Sequence, residues 1–88
     1  MEKTNMETDV KIYPTRDMNL AASLMVDGVK YLRVENDSDD TRRKIFVFEQ
    51  NPEIERVVSQ RANGTHIAST VHYDECLRRL KSILHSIV

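Results

Sequence analysis

The 88-residue sequence predicts an α+β domain in which helices cover a three-stranded sheet. From Tyr73 to Ile87, apolar residues recur every three or four positions, which is the pattern of a one-sided helix. Because such a helix is not stable alone in water, the rest of the chain must supply a surface for it. The segment Lys44 to Glu49 is rich in β-forming side chains, and turn-forming residues separate the predicted elements.

The first predicted strand covers residues 10–13 and ends at Pro14, which favours an edge position because proline lacks a backbone N–H. A helix follows it. Either Thr15 or Asp17 caps the start of this helix, since both side chains can accept hydrogen bonds from free amides. Gly28 ends it, because glycine readily adopts the left-handed conformation found at helix ends. The apolar face of this helix is predicted to consist of Leu20, Ala21, Leu24 and Met25.

The second and third strands are predicted to form a hairpin. Val29 to Glu35 shows the alternation of a strand, and residues 36–40 form a turn whose side chains bond their own backbone. Lys44 to Glu49 contains four consecutive β-forming residues, which indicates a central strand with both faces at least partly covered. The side chains that carry the alternation in the second strand are Tyr31, Leu32 and Val34.

Two helices complete the chain. Asn51 caps the first of them and Pro52 fits its first position. Gly64 ends that helix. Either Ser69 or Thr70 caps the second helix. The buried stripe of the first of these helices is predicted to contain Ile54, Val57 and Val58.

The predicted order of elements is β-α-β-β-α-α. A right-handed crossover leaves the first two strands parallel, with room between them. The third strand, paired with the second in a hairpin, fills that gap and runs antiparallel to both. The sequence therefore predicts the sheet order 1-3-2, with the helices on one face and the C-terminal helix packed across it.

The other sheet face is predicted to be apolar. Either of two alternating pairs of the third strand would lie there, and an apolar outer face favours a homodimer surface. In the alternative, the C-terminal helix wraps around and covers that face. The candidate dimer-face residues are Ile45, Phe46, Val47 and Phe48.

Composition is ordinary for a soluble globular protein, with 31% charged and 40% hydrophobic residues. Residues 1–8 are polar and aperiodic and are predicted to form a mobile tail, whereas residues 9–88 form a single domain. No segment has the length and apolarity of a membrane span, and the N-terminus lacks the pattern of a signal peptide. The single cysteine, Cys76, cannot form an internal disulfide, so a cytoplasmic location is expected.

The basic residues are the main candidates for contacts with a partner. Arg16 lies between the first strand and the first helix, where it contacts a partner or forms a local ion pair. The second half of the chain carries Arg42, Arg43, Arg78, Arg79 and Lys81. This set forms either a strip that contacts nucleic-acid phosphates or an ordinary solvated face. The net charge of −1 disfavours nucleic acid, because such binders are usually strongly basic.

The remaining polar patterns predict no catalytic residue, metal site or cofactor. His72 and Cys76 share a helix face, but they supply two ligands where a structural zinc needs four, and His66 joins them only if the connector folds back. The acidic turn lacks the glycine and glutamate of a calcium loop and is predicted to be solvated. Because the chain also lacks a glycine-rich phosphate loop and a nucleophile elbow, we expect no enzyme activity.

Several motifs, in order, resemble a family of short domains of unknown function that bacteria, phages and prophages encode. The similarity covers about residues 12–85, and the acidic turn at 36–41 and the N-terminal tail depart from it. The resemblance implies a small cytosolic or phage-borne accessory protein and names no catalytic residue. The motifs that carry it are Tyr13-Pro14-Thr15-Arg16-Asp17 with the leucine- and alanine-rich helix to Leu24, Gly28, Phe46-Val47-Phe48-Glu49, Asn63-Gly64 and Leu80-Lys81-Ser82-Ile83-Leu84.

Together these observations predict a small accessory protein that acts by protein–protein interaction or by self-association as a homodimer, without contact with a membrane. The alternative is a small nucleic-acid-binding regulator that uses the basic strip.

Overall fold

A computed structural model describes residues 11–40 and 42–86 of the chain. The predicted tail at residues 1–8 lies outside the described residues. The elements follow the predicted β-α-β-β-α-α order. They are β1 (Ile12–Thr15), α1 (Met18–Val26), β2 (Tyr31–Asn36), β3 (Lys44–Glu49), α2 (Pro52–Asn63) and α3 (Thr70–Ser86). Among the described residues, no helix has both the length and the apolarity needed to cross a bilayer.

The three strands form one sheet in the order β1-β3-β2, with β3 antiparallel to both neighbours. Tyr13 of β1 and Tyr31 of β2 both lie opposite Phe48 of β3. This arrangement confirms the predicted α+β class and the predicted sheet order. The β-forming run of β3 is central, and Phe46, Val47 and Phe48 are all buried.

A bulge in β2 sets which of its side chains face the helices. Tyr31 pairs with Phe48 and Val34 pairs with Phe46, and the register shifts between Tyr31 and Arg33. Residues three apart in a regular strand point to opposite faces. The extra residue, Leu32, keeps both Tyr31 and Val34 packed against the same core. The Tyr31 and Phe48 rings meet edge to face at 5.8 Å between centroids.

The helices cover one face of this sheet. α1 packs against both α2 and α3, and its burial extends beyond the predicted stripe to Ala22 and Ser23. Small side chains at these positions permit the close approach of neighbouring elements. α2 buries Ile54 and Val57, but Val58 is 36% exposed and does not belong to the stripe that we predicted for it.

α3 places its predicted apolar stripe on the core. Cys76 and Leu80 are buried, and four further members of the stripe are half-buried against the same cluster. These four are Tyr73, Leu77, Ile83 and Leu84. Ile87, the last predicted member, lies outside the described residues.

The two sheet faces divide the candidate dimer-face residues. Phe46 and Phe48 are fully buried in the helix-covered core, so they are not available to a partner. Ile45 and Val47 therefore lie on the opposite face, because side chains alternate along β3. Val47 is only 1% exposed, whereas Ile12 of β1 is 43% exposed. Val47 is therefore as inaccessible to a partner as Phe46, and the predicted dimer surface, which stays a prediction, is now limited to Ile45 with the neighbouring Ile12.

Side chains cap the starts of all three helices. For α1, Asp17 accepts hydrogen bonds from the N–H groups of Asn19 and Leu20, which resolves the predicted alternative in favour of Asp17. Asn51 accepts from the first turn of α2, as predicted. For α3, the Ser69 hydroxyl accepts the N–H of His72 at 3.3 Å, so Ser69 is the cap. These caps satisfy amides that lack partners within the helix.

Glycines follow the ends of α1 and α2. Gly28 has φ of 88° and Gly64 has φ of 72°, which is the left-handed conformation predicted for both positions. Backbone N–H groups after each helix donate to carbonyl oxygens of its last turns, as Val29 N–H does to Leu24 O at 2.9 Å. The chain therefore turns sharply at both points, and α1 leads directly into β2.

Candidate functional site

Two loops meet at one end of the sheet. β1 and β2 are parallel, so the β1–α1 loop and the β2–β3 loop leave their strands at the same end. An ion pair joins them, in which Arg16 Nε donates to Asp37 Oδ2 at 2.6 Å. The Asp37 residue is only 3% exposed, whereas the Arg16 side chain is 52% exposed. The prediction of a solvated turn is therefore wrong for Asp37.

The Asp37 carboxylate also organises its own loop. Its Oδ1 accepts the backbone N–H of Asp39 at 2.9 Å, and its backbone N–H donates to Arg43 O at 3.1 Å. The hydrogen bond from Arg16, the N–H of Asp39 and the nearby charge of Arg43 all lower the pKa of the Asp37 carboxyl below its usual value. An ionised and nearly buried carboxylate thus holds Arg16 in a defined position.

Beside this ion pair lies a groove of about 240 Å³, which we call the basic groove. The β1–α1 loop, the start of α1, the β2–β3 loop, β3 and the end of α3 all contribute to it. Basic side chains form its rim and apolar side chains form its floor. The rim consists of Arg16, Arg42, Arg43 and Lys44, and the floor consists of Met18, Phe46 and Leu84.

Three of the four rim cations, Arg16, Arg42 and Lys44, donate to neighbouring acceptors. Arg42 Nε donates to Asp40 Oδ1 at 3.2 Å, and its side chain is almost fully exposed. Hydrogen bonds from the Arg42 side chain, chiefly, and from the Arg42 backbone N–H lower the pKa of the Asp40 carboxyl. Lys44 Nζ donates to Asn36 Oδ1. The groove therefore presents positive charge in a partly fixed arrangement, next to an apolar surface.

The structure divides the predicted basic residues into two groups. It brings Arg16, Arg42 and Arg43 together at the basic groove. The others are exposed on α3, among acidic side chains that reduce the local charge. Asp37 and the apolar floor are parts of the site that the sequence did not predict. The α3 group consists of Arg78, Arg79 and Lys81, with Asp74 and Glu75 beside them.

A second polar cluster lies at the end of α1. Asp27 Oδ2 accepts a hydrogen bond from Arg56 Nη2 at 3.1 Å and lies 3.1 Å from His66 Nε2. Nearby, Arg61 Nη1 donates to the buried Ser23 hydroxyl at 2.8 Å. These bonds tie α1, α2 and the connector before α3 together. His66 is thus engaged with a carboxylate, and among the described residues it forms no three-residue cluster with His72 and Cys76, the other side chains considered as metal ligands.

The lone thiol lies in the core rather than in the groove. Cys76 is buried on α3, and burial raises the pKa of its thiol, which is the opposite of what a nucleophilic cysteine requires. Within residues 11–40 and 42–86, no three histidine, cysteine, aspartate or glutamate side chains converge as a metal site would need.

Comparisons with known proteins agree with the resemblance drawn from the motifs. Neither a curated protein nor a solved structure matches the chain. A family model described as a domain of unknown function, DUF5659, matches residues 10–86. The match spans every element described above, including both loops of the basic groove. The chain therefore belongs to the DUF5659 family of domains of unknown function.

Proposed function

We propose that this protein is a small cytoplasmic accessory protein, of the kind that phages and prophages encode, which binds a protein partner in the basic groove. The observation that carries the proposal is the groove itself, where exposed cations surround an apolar floor. Protein interfaces combine an apolar centre with a polar rim in the same way. Arginine is also enriched at such interfaces, and three arginines line this groove.

The size and lining of the groove favour a protein over other ligands. Its volume of about 240 Å³ is below the roughly 300–1,000 Å³ typical of small-molecule pockets. A single-stranded nucleic acid would need aromatic faces on which its bases stack. Phe46 is the one aromatic residue among the lining residues described, and it is buried. A few side chains of a partner protein fit this space better.

Photo-crosslinking in the native host tests this proposal. A photoreactive residue at position 42, on the groove rim, is compared with the same residue at position 79 on α3. Both positions are exposed and basic in the native chain, so they form a matched pair. We expect a discrete protein adduct from position 42 and a much weaker one from position 79. We also expect the captured protein, once purified, to bind the wild-type chain.

Equal capture at both positions would contradict the proposed groove. Failure to form the adduct when nuclease is added before irradiation would also contradict it, because the contact would then depend on nucleic acid. The identity of the captured protein and of the neighbouring genes would test the proposed phage context.

Self-association is a second mode of protein interaction, and two isoleucines on the sheet face opposite the helices favour it. Ile12 is substantially exposed there, and Ile45 is half-buried. Light scattering across a range of concentrations measures this mode. A homodimer that becomes a monomer in the variant Ile12→Lys would support it, whereas a monomer of about 10 kDa at every concentration would exclude it.

Nucleic-acid binding is the candidate from a different class, and the exposed group on α3 favours it. Arg78 and Lys81 lie on one flank of that helix with Arg79 beside them. Gel retardation at low salt tests it, because non-specific binding strengthens as salt is removed. The absence of any retarded DNA or RNA under those conditions would remove this candidate.

A further inference from the structure

We propose that the basic groove selects an acidic segment of its partner, in which a carboxylate binds Arg16 and a neighbouring apolar side chain rests on Met18 and Leu84. The inference rests on the proposed function and adds the chemistry of the ligand. It also assigns a role to Asp37, which positions Arg16 for this contact.

Arg16 can bind a second acceptor besides Asp37. A guanidinium has five N–H donors, and only Nε is engaged with Asp37. No acceptor from the described residues bonds its Nη atoms, and the side chain is half-exposed on the groove rim. Two Nη groups in this arrangement offer parallel donors to a second acceptor, and a carboxylate matches that geometry.

The positive charge of the groove faces its occupant. Asp37 is nearly buried behind the rim, whereas the four cations face the groove. Arg42 forms an ion pair with Asp40. Arg43 is exposed and forms no ion pair within residues 11–40 and 42–86. An occupant with negative charge is therefore complementary to the rim, and a cationic occupant would be repelled.

The floor of the groove is apolar. Met18 and Leu84 are half-buried and lie beside the buried Phe46 ring. Methionine adapts its shape to an irregular neighbour, so this floor can accept one apolar side chain of moderate size. The groove volume leaves room for about one or two side chains. An acidic residue next to an apolar one satisfies both the rim and the floor.

Peptide binding tests the inference directly. Short fluorescent peptides with glutamates on either side of a leucine are titrated with the full chain, and fluorescence anisotropy reports binding. Matched peptides carry glutamine in place of each glutamate. We expect the glutamine peptides to bind at least about tenfold more weakly, a difference of about 1.4 kcal/mol. The variant Arg16→Gln should show a similar loss for the glutamate peptides.

The double variant Arg78→Gln/Arg79→Gln is the charge control. It removes two positive charges from α3, compared with the one removed by Arg16→Gln, but it leaves the groove intact. We expect its affinity for the glutamate peptides to stay within about twofold of wild type, because neither arginine lines the groove and salt screens charges that do not contact the bound carboxylate. A loss as large as that of Arg16→Gln would assign binding to overall charge and overturn the inference.

The variant Asp37→Asn separates positioning from charge. It makes the protein more positive, so a site that acts only by charge would bind the acidic peptides more tightly. If Asp37 positions Arg16, the affinity falls instead, because the guanidinium loses its fixed orientation. Circular dichroism confirms that the variant is folded. Tighter binding by Asp37→Asn would overturn the positioning role.

Two further outcomes would overturn the choice of ligand. Equal binding of glutamate and glutamine peptides would show that the groove does not select carboxylates. Tighter, Arg16-dependent binding of an oligothymidylate would identify a nucleic acid as the occupant. If crosslinking at position 42 captures a protein while the glutamate peptides fail to bind, partner binding stands and acid selection falls. If the peptides bind but no partner is captured, acid selection stands and partner binding falls.

Discussion

Arg16 Nε and Asp37 Oδ2 lie 2.6 Å apart although 21 positions separate the two residues in the chain. This ion pair fastens the loop after β1 to the loop after β2 at the end of the sheet where the basic groove lies. The stability of the fold and the geometry of the groove are therefore linked through one carboxylate.

The variant Asp37→Asn should be less stable than wild type at neutral pH, and the difference should vanish in acid. The pKa of Asp37 is lowered in the folded protein, chiefly by the Arg16 hydrogen bond. Its contribution is therefore present above the unfolded pKa of about 4 and is lost as pH falls through the lower folded value. Urea denaturation at several values between neutral and strongly acidic pH measures the gap between the two proteins.

Asp39→Asn is the matched control for that measurement, since Asp39 lies in the same loop but is exposed. We expect its stability to follow wild type at every pH. A gap between Asp37→Asn and wild type that stayed constant into acid would show that the ion pair is not the cause.

Leu80→Ala should destabilise the protein by about 2–5 kcal/mol, because Leu80 is a fully buried member of the core on α3. Val58→Ala should change stability by only about 0.5 kcal/mol or less, because Val58 is substantially exposed on α2. Chemical denaturation of both variants measures the contrast. Similar losses in the two would contradict the assignment of the core.

Gly64→Ala should cost about 1–2 kcal/mol through backbone strain alone. Gly64 has φ of 72°, and an added Cβ would meet no atom within 4 Å, so no steric clash contributes. Gly64→Asn should cost less, because asparagine tolerates the left-handed conformation better than alanine does. Thermal or chemical denaturation of both variants would reveal this order, and the opposite order would argue against the observed end of α2.

The Cys76 thiol should react slowly with a disulfide reagent in the native protein. Burial removes access to the thiol and raises its pKa, so little reactive thiolate is present near neutral pH. Labelling should become fast in denaturant, and Cys76→Ala supplies the background rate. Fast labelling of the folded protein, followed by absorbance, would place the thiol at the surface and contradict the packing of α3.

Local patterns in the sequence predicted most of the fold. The spacing of Cys76 and Leu80 predicted the buried side of α3, and Asn51 and Gly64 predicted the ends of α2. These signals are local, since each depends on residues a few positions apart. The α+β class and the sheet order followed from chain connectivity, because a parallel crossover left only one gap for β3.

The missed features depend on contacts between distant residues. Asp37 looked like one acid in a solvated turn, because nothing nearby in sequence shows that Arg16 reaches it. Val58 fits the helical spacing of α2 but is 36% exposed, and the spacing alone does not show how far the packed stripe of the helix extends. The bulge at Leu32 likewise depends on the register with β3. The basic groove could be predicted only in part, as a set of arginines without its floor.

The two outer strands of the sheet carry features that oppose further strand pairing. β1 contains Pro14, which offers no N–H to an incoming strand, and β2 contains the bulge that interrupts its regular ladder. Strand-by-strand growth into fibrils or domain-swapped oligomers is thereby disfavoured. Other molecules can then bind only through faces and grooves and not through the sheet edges. A concentrated stock should therefore stay free of amyloid-dye fluorescence.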